Sequence, residues 1–151
     1  MVKAELIAEH ASIRPGGKTR VGVHFELEPG WHIYAKDPGD SGLPTKIFWS
    51  SPMEEANVVF GPLHWPPHEQ FMDAGNIKTF GYTGSTVLYS TMQLMPSKVR
   101  GSHVPILADV RWLACKEVCV PGSAKLNLSL PVSDQSPEFS ARAKLFEHTP
   151  E

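Results

Sequence analysis

Apolar and polar residues alternate along most of this chain, which is the pattern of half-buried β-strands. The alternation is clear from residue 19 to residue 27, where every second position from Val21 onward is apolar. It recurs in further short segments, so we predict about eight strands in all. They cover residues 4–8, 19–27, 31–36, 47–49, 56–60, 85–94, 104–115 and 124–132.

Glycine and proline separate these segments. The chain has 12 glycines and 14 prolines, spread along its length rather than gathered in one linker. Two stretches rich in them, residues 37–44 and 61–84, are predicted as loops, the second with one short strand near residues 77–82. Many short strands joined by turns, with almost no helical periodicity, predict an all-β antiparallel sandwich.

A helix is predicted only near the C-terminus. Ser136 is a capping residue, Pro137 suits the first helical position, and apolar residues follow on one helical face. The apolar residues of that face are Phe139, Ala143 and Phe146. We therefore divide the chain into a sandwich over residues 1–132 and a C-terminal helix or linker over residues 133–151, leading toward a following domain.

Length and composition narrow the classes of function. A chain of 151 residues has room for one domain with its own core, and 41% hydrophobic with 20% charged residues is ordinary for a folded protein. The net charge of -2 and the lack of a basic run argue against nucleic-acid binding. No apolar stretch is long enough to span a membrane, and the first residues lack a signal-peptide pattern. If the protein is exported, we expect its signal to have been removed before this chain begins.

The two cysteines, Cys115 and Cys119, lie at the tip of the hairpin predicted from the last two strands. Residues four apart in a continuous strand are about 13 Å from each other, too far for a disulfide. The chain must therefore turn at residues 116–118, which brings the cysteines together as a disulfide or as a reactive dithiol. A staple that closes so small a loop stabilises by only about 2 kcal/mol. Both a redox-active pair and a non-enzymatic interaction module with a structural disulfide stay open at this point.

A metal site is a third interpretation of the cysteines. Two thiolates with a nearby histidine or methionine suit a soft ion such as Cu(I), whereas the spacing does not match a structural zinc site. The candidate additional ligands are His32, His64, His68 and His103. Scattered histidines in a loop-rich protein are more often surface or core residues, so we predict neither a metal nor another cofactor.

Three segments carry a resemblance to a known family. They are GWHIY at residues 30–34 running on to PGDSGLP at residues 38–44, HEQF at residues 68–71, and WLACKEVCVPG at residues 112–122. In this order and spacing they resemble the N-terminal periplasmic domain of the transmembrane thiol-disulfide reductase DsbD, and particularly its ScsB-like relatives. The resemblance covers about residues 3–132.

The resemblance implies both a fold and an activity. The fold is an immunoglobulin-like sandwich that carries a redox-active cysteine pair. Electrons would pass from the cytoplasm through a membrane domain of the full-length protein to a thioredoxin-like domain, which reduces the immunoglobulin-like domain. That domain would then reduce a periplasmic disulfide isomerase or another thioredoxin-like acceptor. The expected activity is that of a protein-disulfide reductase, and the expected location is the periplasm.

The resemblance also implies a role for each cysteine. Cys119, with Pro121 two residues later, matches the cysteine that forms the mixed disulfide with a partner protein. Cys115 matches the resolving cysteine. The reaction depends on thiolate fraction and access, and Lys116 would favour the thiolate while Glu117 would oppose it.

In the family a loop caps the cysteines, with a phenylalanine lying over the disulfide. The matching stretch here is residues 69–75, with Phe71 as the expected cap residue and Phe80 as the alternative. For Phe71, the structural alternative is an ordinary core aromatic. Glu69 matches part of an acidic pair that assists proton movement near the thiols.

Tyr34 and His32 lie two residues apart, on one strand face, and match family tyrosines that line the site. The chain departs from the best-studied members in having a shorter loop between the cysteines, Val120 where they have an aromatic residue, and His32 where they have tyrosine. These departures bear on the cap and on proton handling. Close to a thiol, His32 would stabilise the thiolate or shuttle its proton, whereas the structural alternative is a hydrogen-bonded strand histidine.

Overall fold

The structure is a computed structural model that describes residues 2–52, 58–73, 75–96 and 103–147. Within these residues the chain forms ten β-strands and one 3-10 turn, Ala143–Phe146, and no helix long and apolar enough to cross a membrane. The strands are β1 (Val2–Ala8), β2 (Lys18–Leu27), β3 (His32–Gly39), β4 (Lys46–Ser50), β5 (Val58–Phe60), β6 (Glu69–Asp73), β7 (Ile77–Thr83), β8 (Ser85–Leu94), β9 (His103–Cys115) and β10 (Cys119–Pro131).

The strands form two antiparallel sheets. One sheet has four strands in the order β1-β2-β8-β5. The other has six strands, with β10-β9-β3-β7-β6 as its main path and β4 paired to β9. The predicted all-β sandwich is therefore confirmed, with the immunoglobulin-like fold that the family resemblance implied.

Strand alternation explains where the core lies. Val21, Val23 and Phe25 of β2 are fully buried, and so are Ile106 and Val110 of β9 in the other sheet. Burial of one such side chain stabilises the fold by about 1.5–3 kcal/mol, so this shared layer holds the two sheets together. Since successive side chains of a strand point to opposite faces, the residues between these positions in β9 lie on the outer face of the six-stranded sheet.

The short strand predicted near residues 77–82 is confirmed as β7, but the prediction of a loop over the rest of residues 61–84 missed the strand β6. Two strands, β6 and β7, form a hairpin there, and Gly75 and Asn76 close it with φ angles of 85° and 62°. Among the described residues β6 is at the edge of the sheet, and several side chains of this hairpin face solvent. An edge hairpin of this kind does not need the apolar alternation on which the prediction relied.

One further strand was predicted partly outside the described residues. Residues 56 and 57, at the start of the strand predicted over residues 56–60, lie outside them, and residues 58–60 form β5. β5 pairs with β8 at the edge of the four-stranded sheet.

The C-terminal segment packs on the four-stranded sheet without the helix predicted from Ser136. Its backbone instead pairs with the connection after β1: the Ser140 N–H donates to Glu9 O at 2.9 Å, and Glu138 O accepts from Ala11 N at 2.8 Å. These groups are then not available for helical hydrogen bonds, and a single 3-10 turn follows. Phe146 is fully buried as expected of an anchoring residue. That the segment leads toward a following domain stays a prediction.

The predicted helical face does not form as a unit. Phe139 is 71% exposed and stacks on His10 with ring centroids 5.1 Å apart, whereas Phe146 packs against Tyr89 at 5.9 Å. The two phenylalanines therefore contact different parts of the domain.

Candidate redox site

Cys115 and Cys119 face each other at the end of the β9–β10 hairpin and form a disulfide. Their Cα atoms are 4.1 Å apart. Between them the Lys116 N–H donates to the Val118 carbonyl oxygen at 3.0 Å, which closes the tip. The turn predicted from the cysteine spacing is therefore present.

The two cysteines differ in exposure. Cys115 is 3% exposed, whereas Cys119 is an exposed residue. The difference follows from the sheet order, because Cys115 pairs with β3 on its other side while Cys119 begins the edge strand β10. A partner protein therefore reaches Cys119 more readily than Cys115.

Both cysteines lie on the outer face of the six-stranded sheet. In β9 the residues Val104, Ile106, Ala108 and Val110 are buried in the core, so the odd-numbered positions, up to Cys115, point away from it. The pairing register places Cys119 and Pro121 opposite Cys115 and Leu113 on this same face. Pro121 thus continues the surface on which the accessible cysteine lies.

His32, Tyr34 and Phe71 form an aromatic cluster beside Cys115. His32 is opposite Cys115 in the register of β3 and β9, and its Nε2 is hydrogen-bonded to Tyr34 Oη at 3.2 Å. The Phe71 ring stacks on the His32 ring, with centroids 4.6 Å apart and planes 29° from parallel. His32 and Tyr34 are 9% and 3% exposed. The cluster therefore lies next to Cys115, on the side of β3.

The alternative cap residue, Phe80, has a different environment. Phe80 is one of the partly buried residues that pack against the core between the sheets, and its ring contacts His68 at 4.9 Å. Phe71 pairs with Thr79, the residue before Phe80, and adjacent residues of a strand point to opposite faces. Of the two phenylalanines, the structure brings Phe71 to the cysteine face.

The connection between β3 and β4 holds Tyr34 in place. Gly42 has a φ angle of +94°, and a Cβ atom there would lie 2.6 Å from the Tyr34 ring. Thr45 Oγ1 donates to the Tyr34 carbonyl oxygen at 3.1 Å. The glycine matched by the family resemblance thus has a physical role here, since only a residue without a side chain fits against the ring.

Glu69 is at the exposed end of the same cluster. Its carboxylate accepts a hydrogen bond from Thr83 Oγ1 at 2.6 Å, and Thr83 is opposite His32 in the register of β7 and β3. Sequence reasoning did not identify Thr83, because an isolated threonine in a glycine-rich stretch carries no distinctive signal. Glu69 is therefore hydrogen-bonded to the residue that lies opposite His32 on β7.

The lysine between the cysteines packs across a turn. The Lys116 stem lies against Gly30, where a Cβ atom would come within 2.9 Å of Lys116 Cε. Gly30 has a φ angle of +87°, so glycine suits this position for both conformation and space.

The four histidines considered as metal ligands do not gather at the cysteines. His32 is beside Cys115, but His64 stacks on Tyr89 of the four-stranded sheet at 4.8 Å. His68 contacts the Phe80 ring, and His103 begins β9 at the end opposite Cys115. Across the part of the chain that the structure describes, no group of three or more histidine, cysteine, aspartate or glutamate residues is arranged to hold a metal ion.

Comparison with known proteins identifies a family. Residues 3–131 match the family model described as "Thiol:disulfide interchange protein DsbD, N-terminal". A comparison with curated proteins finds no significant match.

Two solved structures are similar to this chain. The N-terminal periplasmic domain of ScsB from Proteus mirabilis is 22% identical, with a TM-score of 0.60 over 99% of this chain and 53% of that one. This chain thus spans about half the length of the ScsB domain. The reduced N-terminal domain of Neisseria meningitidis DsbD is 15% identical, with a TM-score of 0.35 over 89% of each chain.

The family match and the paired cysteines together support a thiol-disulfide exchange domain. The match spans most of the sandwich, including the cysteine hairpin and the β6–β7 hairpin that carries Phe71. The chain belongs to the family of N-terminal domains of the thiol:disulfide interchange protein DsbD.

Proposed function

We propose that this chain is a periplasmic protein-disulfide reductase domain. It receives electrons from a thioredoxin-like domain and transfers them through Cys115 and Cys119 to disulfides of periplasmic acceptor proteins. The observation that carries the proposal is the asymmetric pair, an exposed Cys119 opposite a buried Cys115 in one hairpin. A membrane domain of the full-length protein is part of this proposal.

The difference in exposure supports an order for the two chemical steps. In the reduced state the Cys119 thiolate attacks one sulfur of the acceptor disulfide, and the other acceptor sulfur leaves as a thiolate. The Cys115 thiolate then attacks Cys119 Sγ, which re-forms the disulfide of this chain and releases the second acceptor thiolate. Two electrons pass to the acceptor, and the two protons of the dithiol balance the two thiols formed.

His32 is the proposed proton acceptor for Cys115. A buried thiol loses its proton reluctantly, because low-polarity surroundings disfavour the thiolate. The imidazole of His32 lies on the strand next to Cys115, and Tyr34 Oη orients the ring through Nε2. A histidine in this position favours the thiolate needed for the resolving step.

Phe71 is the proposed cap of the site, and Glu69 is proposed to assist proton movement at its outer end. Stacking on His32 keeps the β6–β7 hairpin over the cysteine face. β6, which carries Phe71, pairs only with β7 among the described residues, so docking of a partner displaces Phe71 at modest cost. The cap then shields Cys115 of the reduced pair from small oxidants until a partner binds.

A purely structural disulfide fits the hairpin less well. β9 and β10 are already paired over thirteen positions, so the hairpin does not depend on a covalent link at its tip. A disulfide that closes so short a loop stabilises by only about 2 kcal/mol.

A redox titration tests the proposal. The fraction of oxidised pair is measured by thiol alkylation and mass after equilibration with glutathione or dithiothreitol buffers. We expect a reduction potential of about -120 to -270 mV, the range of proteins that exchange disulfides. A potential below about -300 mV would identify a structural bridge and overturn the proposal.

A further inference from the structure

A groove of about 590 Å³ runs along the outer face of the six-stranded sheet, next to the cysteine hairpin. Side chains of β4, β9 and β10 line it, together with the end of the β3–β4 connection. Pro121 belongs to this lining and lies two residues beyond Cys119 on the same face of β10. The groove therefore begins two residues beyond the accessible Cys119 along β10.

The groove is cationic in a protein that is otherwise acidic. Lys46, Arg111 and Lys125 line it and are exposed, and the carboxylate among them, Asp109, is 3.5 Å from an Arg111 guanidinium nitrogen. The groove thus has a formal charge of +2 within a chain whose net charge is -2. The register explains the clustering, because Lys46 and Arg111 are opposite each other and Lys125 is opposite Asp109.

Apolar side chains accompany these cations. Leu43 is 63% exposed and Phe48 is 54% exposed, and the Arg111 guanidinium lies 5.9 Å from the centre of the Phe48 ring. Aromatic and arginine side chains are enriched in protein interfaces, so this mixture favours a protein partner.

Strand geometry sets the distance between the groove and the reactive sulfur. At about 3.3 Å per residue, Ser123, which is opposite Arg111, is roughly 13 Å along β10 from Cys119, and Lys125 is roughly 20 Å from it. A partner segment extended beside β10 therefore meets the cations about four to six residues from its own cysteine.

We propose that this surface, the cationic groove, binds an acidic segment of the partner protein, with aspartate or glutamate four to six residues from the cysteine that exchanges with Cys119. The inference rests on the proposed thiol-disulfide exchange and adds the chemistry by which a partner is selected. Opposite charges across an interface mainly accelerate encounter and exclude wrong partners.

Two synthetic peptides test the charge preference directly. Each peptide has one cysteine, present as a mixed disulfide with thionitrobenzoate. Four to six residues away on both sides of that cysteine, one peptide has glutamates and the other has lysines. The Cys119 thiolate attacks the peptide sulfur and releases thionitrobenzoate, whose absorbance gives the rate. Cys115 then releases the peptide thiol and re-forms the disulfide.

We expect the acidic peptide to react about tenfold faster than the basic one at low salt. The preference should shrink as salt rises, because exposed charges are screened beyond about 10 Å at 0.1 M ionic strength. Lys125→Glu and Lys46→Glu should each reduce it severalfold. Lys18→Glu is the matched control: it makes the same charge change at an exposed position of the other sheet and should preserve the preference.

Each other outcome has a definite meaning. Equal rates for the two peptides would overturn the cationic groove while leaving thiol exchange intact. The cationic groove would also be overturned if Lys18→Glu reduced the preference for the acidic peptide as much as Lys125→Glu does. The preference would then result from the overall charge of the protein. If neither peptide released thionitrobenzoate, the exchange function itself would fail, and the groove proposal with it.

Discussion

Phe71 stacks on His32 with ring centroids 4.6 Å apart, and His32 lies opposite Cys115 in the register of β3 and β9. The hairpin that carries Phe71 is therefore linked through one aromatic contact to the buried cysteine of the pair. Movement of this hairpin would alter the surroundings of Cys115 and His32 together.

Removal of the Phe71 ring should expose the buried side of the pair. In Phe71→Ala we expect the reduced Cys115 to be alkylated by iodoacetamide severalfold faster, measured by mass at successive times. Phe139→Ala is the control, because Phe139 is 71% exposed and stacks on His10, which follows β1 and is far from the cysteine hairpin in the sheet order. Equal alkylation rates in the wild-type protein and Phe71→Ala would contradict the cap.

The two cysteines should behave differently when separated. The exposed Cys119 should trap a thioredoxin-like acceptor as a mixed disulfide in Cys115→Ser, visible on a non-reducing gel. The buried Cys115 should not do so in Cys119→Ser, since its sulfur is far less accessible. The assignment is wrong if Cys119→Ser traps the acceptor as efficiently as Cys115→Ser.

Loss of the His32 imidazole should slow the second step rather than the first. In His32→Gln the mixed disulfide through Cys119 should last roughly tenfold longer or more, because Cys115 has lost its proton acceptor. Acid-quenched samples analysed by mass give the formation and decay rates separately. His103→Gln, an exposed change at the far end of β9, should leave both rates unchanged. If His32 only packs against its neighbouring strands, a folded His32→Gln protein should show the wild-type lifetime of the mixed disulfide, and that result would contradict the proton-acceptor role.

Two glycines with positive φ distinguish steric fit from backbone conformation. Gly75 has a φ angle of 85°, and a methyl group added there would meet open space. Gly75→Ala should therefore lower the free energy of unfolding by roughly 1–2 kcal/mol, from the backbone conformation alone. Gly42 has a similar φ angle, but a Cβ atom there would also lie 2.6 Å from the Tyr34 ring. Gly42→Ala should therefore lower the free energy of unfolding by about 1–3 kcal/mol more than Gly75→Ala does. Urea unfolding measures both. Equal losses of unfolding free energy in the two variants would show that the Tyr34 ring moves aside without cost.

Acid should weaken the domain partly through Glu9. The Arg20 guanidinium donates to the Glu9 carboxylate and holds the pKa of that carboxyl below its usual 4.5. A carboxyl whose pKa is lower in the folded protein stabilises it above the unfolded value, and this stabilisation is lost as pH falls through the folded value. Glu9→Gln should therefore lower the free energy of unfolding at pH 7 by about 1–3 kcal/mol and make little difference below that pKa.

The matched control for Glu9 is another carboxylate–arginine pair. Glu5 pairs with Arg142 at 3.1 Å, but both side chains are about half exposed, so Glu5→Gln should cost less than about 1 kcal/mol at pH 7. Urea unfolding at neutral and acidic pH compares the two variants. The same loss for both variants at pH 7 would contradict a special role for the Glu9 pair.

Much of the fold could be predicted because strand patterns are local. The core positions of β2 and β9 alternate with outward-facing ones in the sequence itself, and each pattern refers to a single strand. β7 was predicted, but β6 was not, because β6 lies at the edge of the sheet among the described residues and several of its side chains face solvent. The predicted C-terminal helix does not form because the Ser140 N–H donates to the Glu9 carbonyl oxygen, a contact between distant parts of the chain.

The sequence by itself determined the all-β sandwich, the hairpin that joins Cys115 to Cys119, and the family to which the chain belongs. These depend on alternation, turn residues and the spacing of two cysteines within one short segment. Only the tertiary structure decided that Cys115 is buried and Cys119 exposed, and that Phe71 rather than Phe80 reaches the cysteine face. It also placed Lys46 opposite Arg111. The physical reason is that burial and proximity depend on which strands become neighbours, and sheet pairing joins residues far apart in the chain.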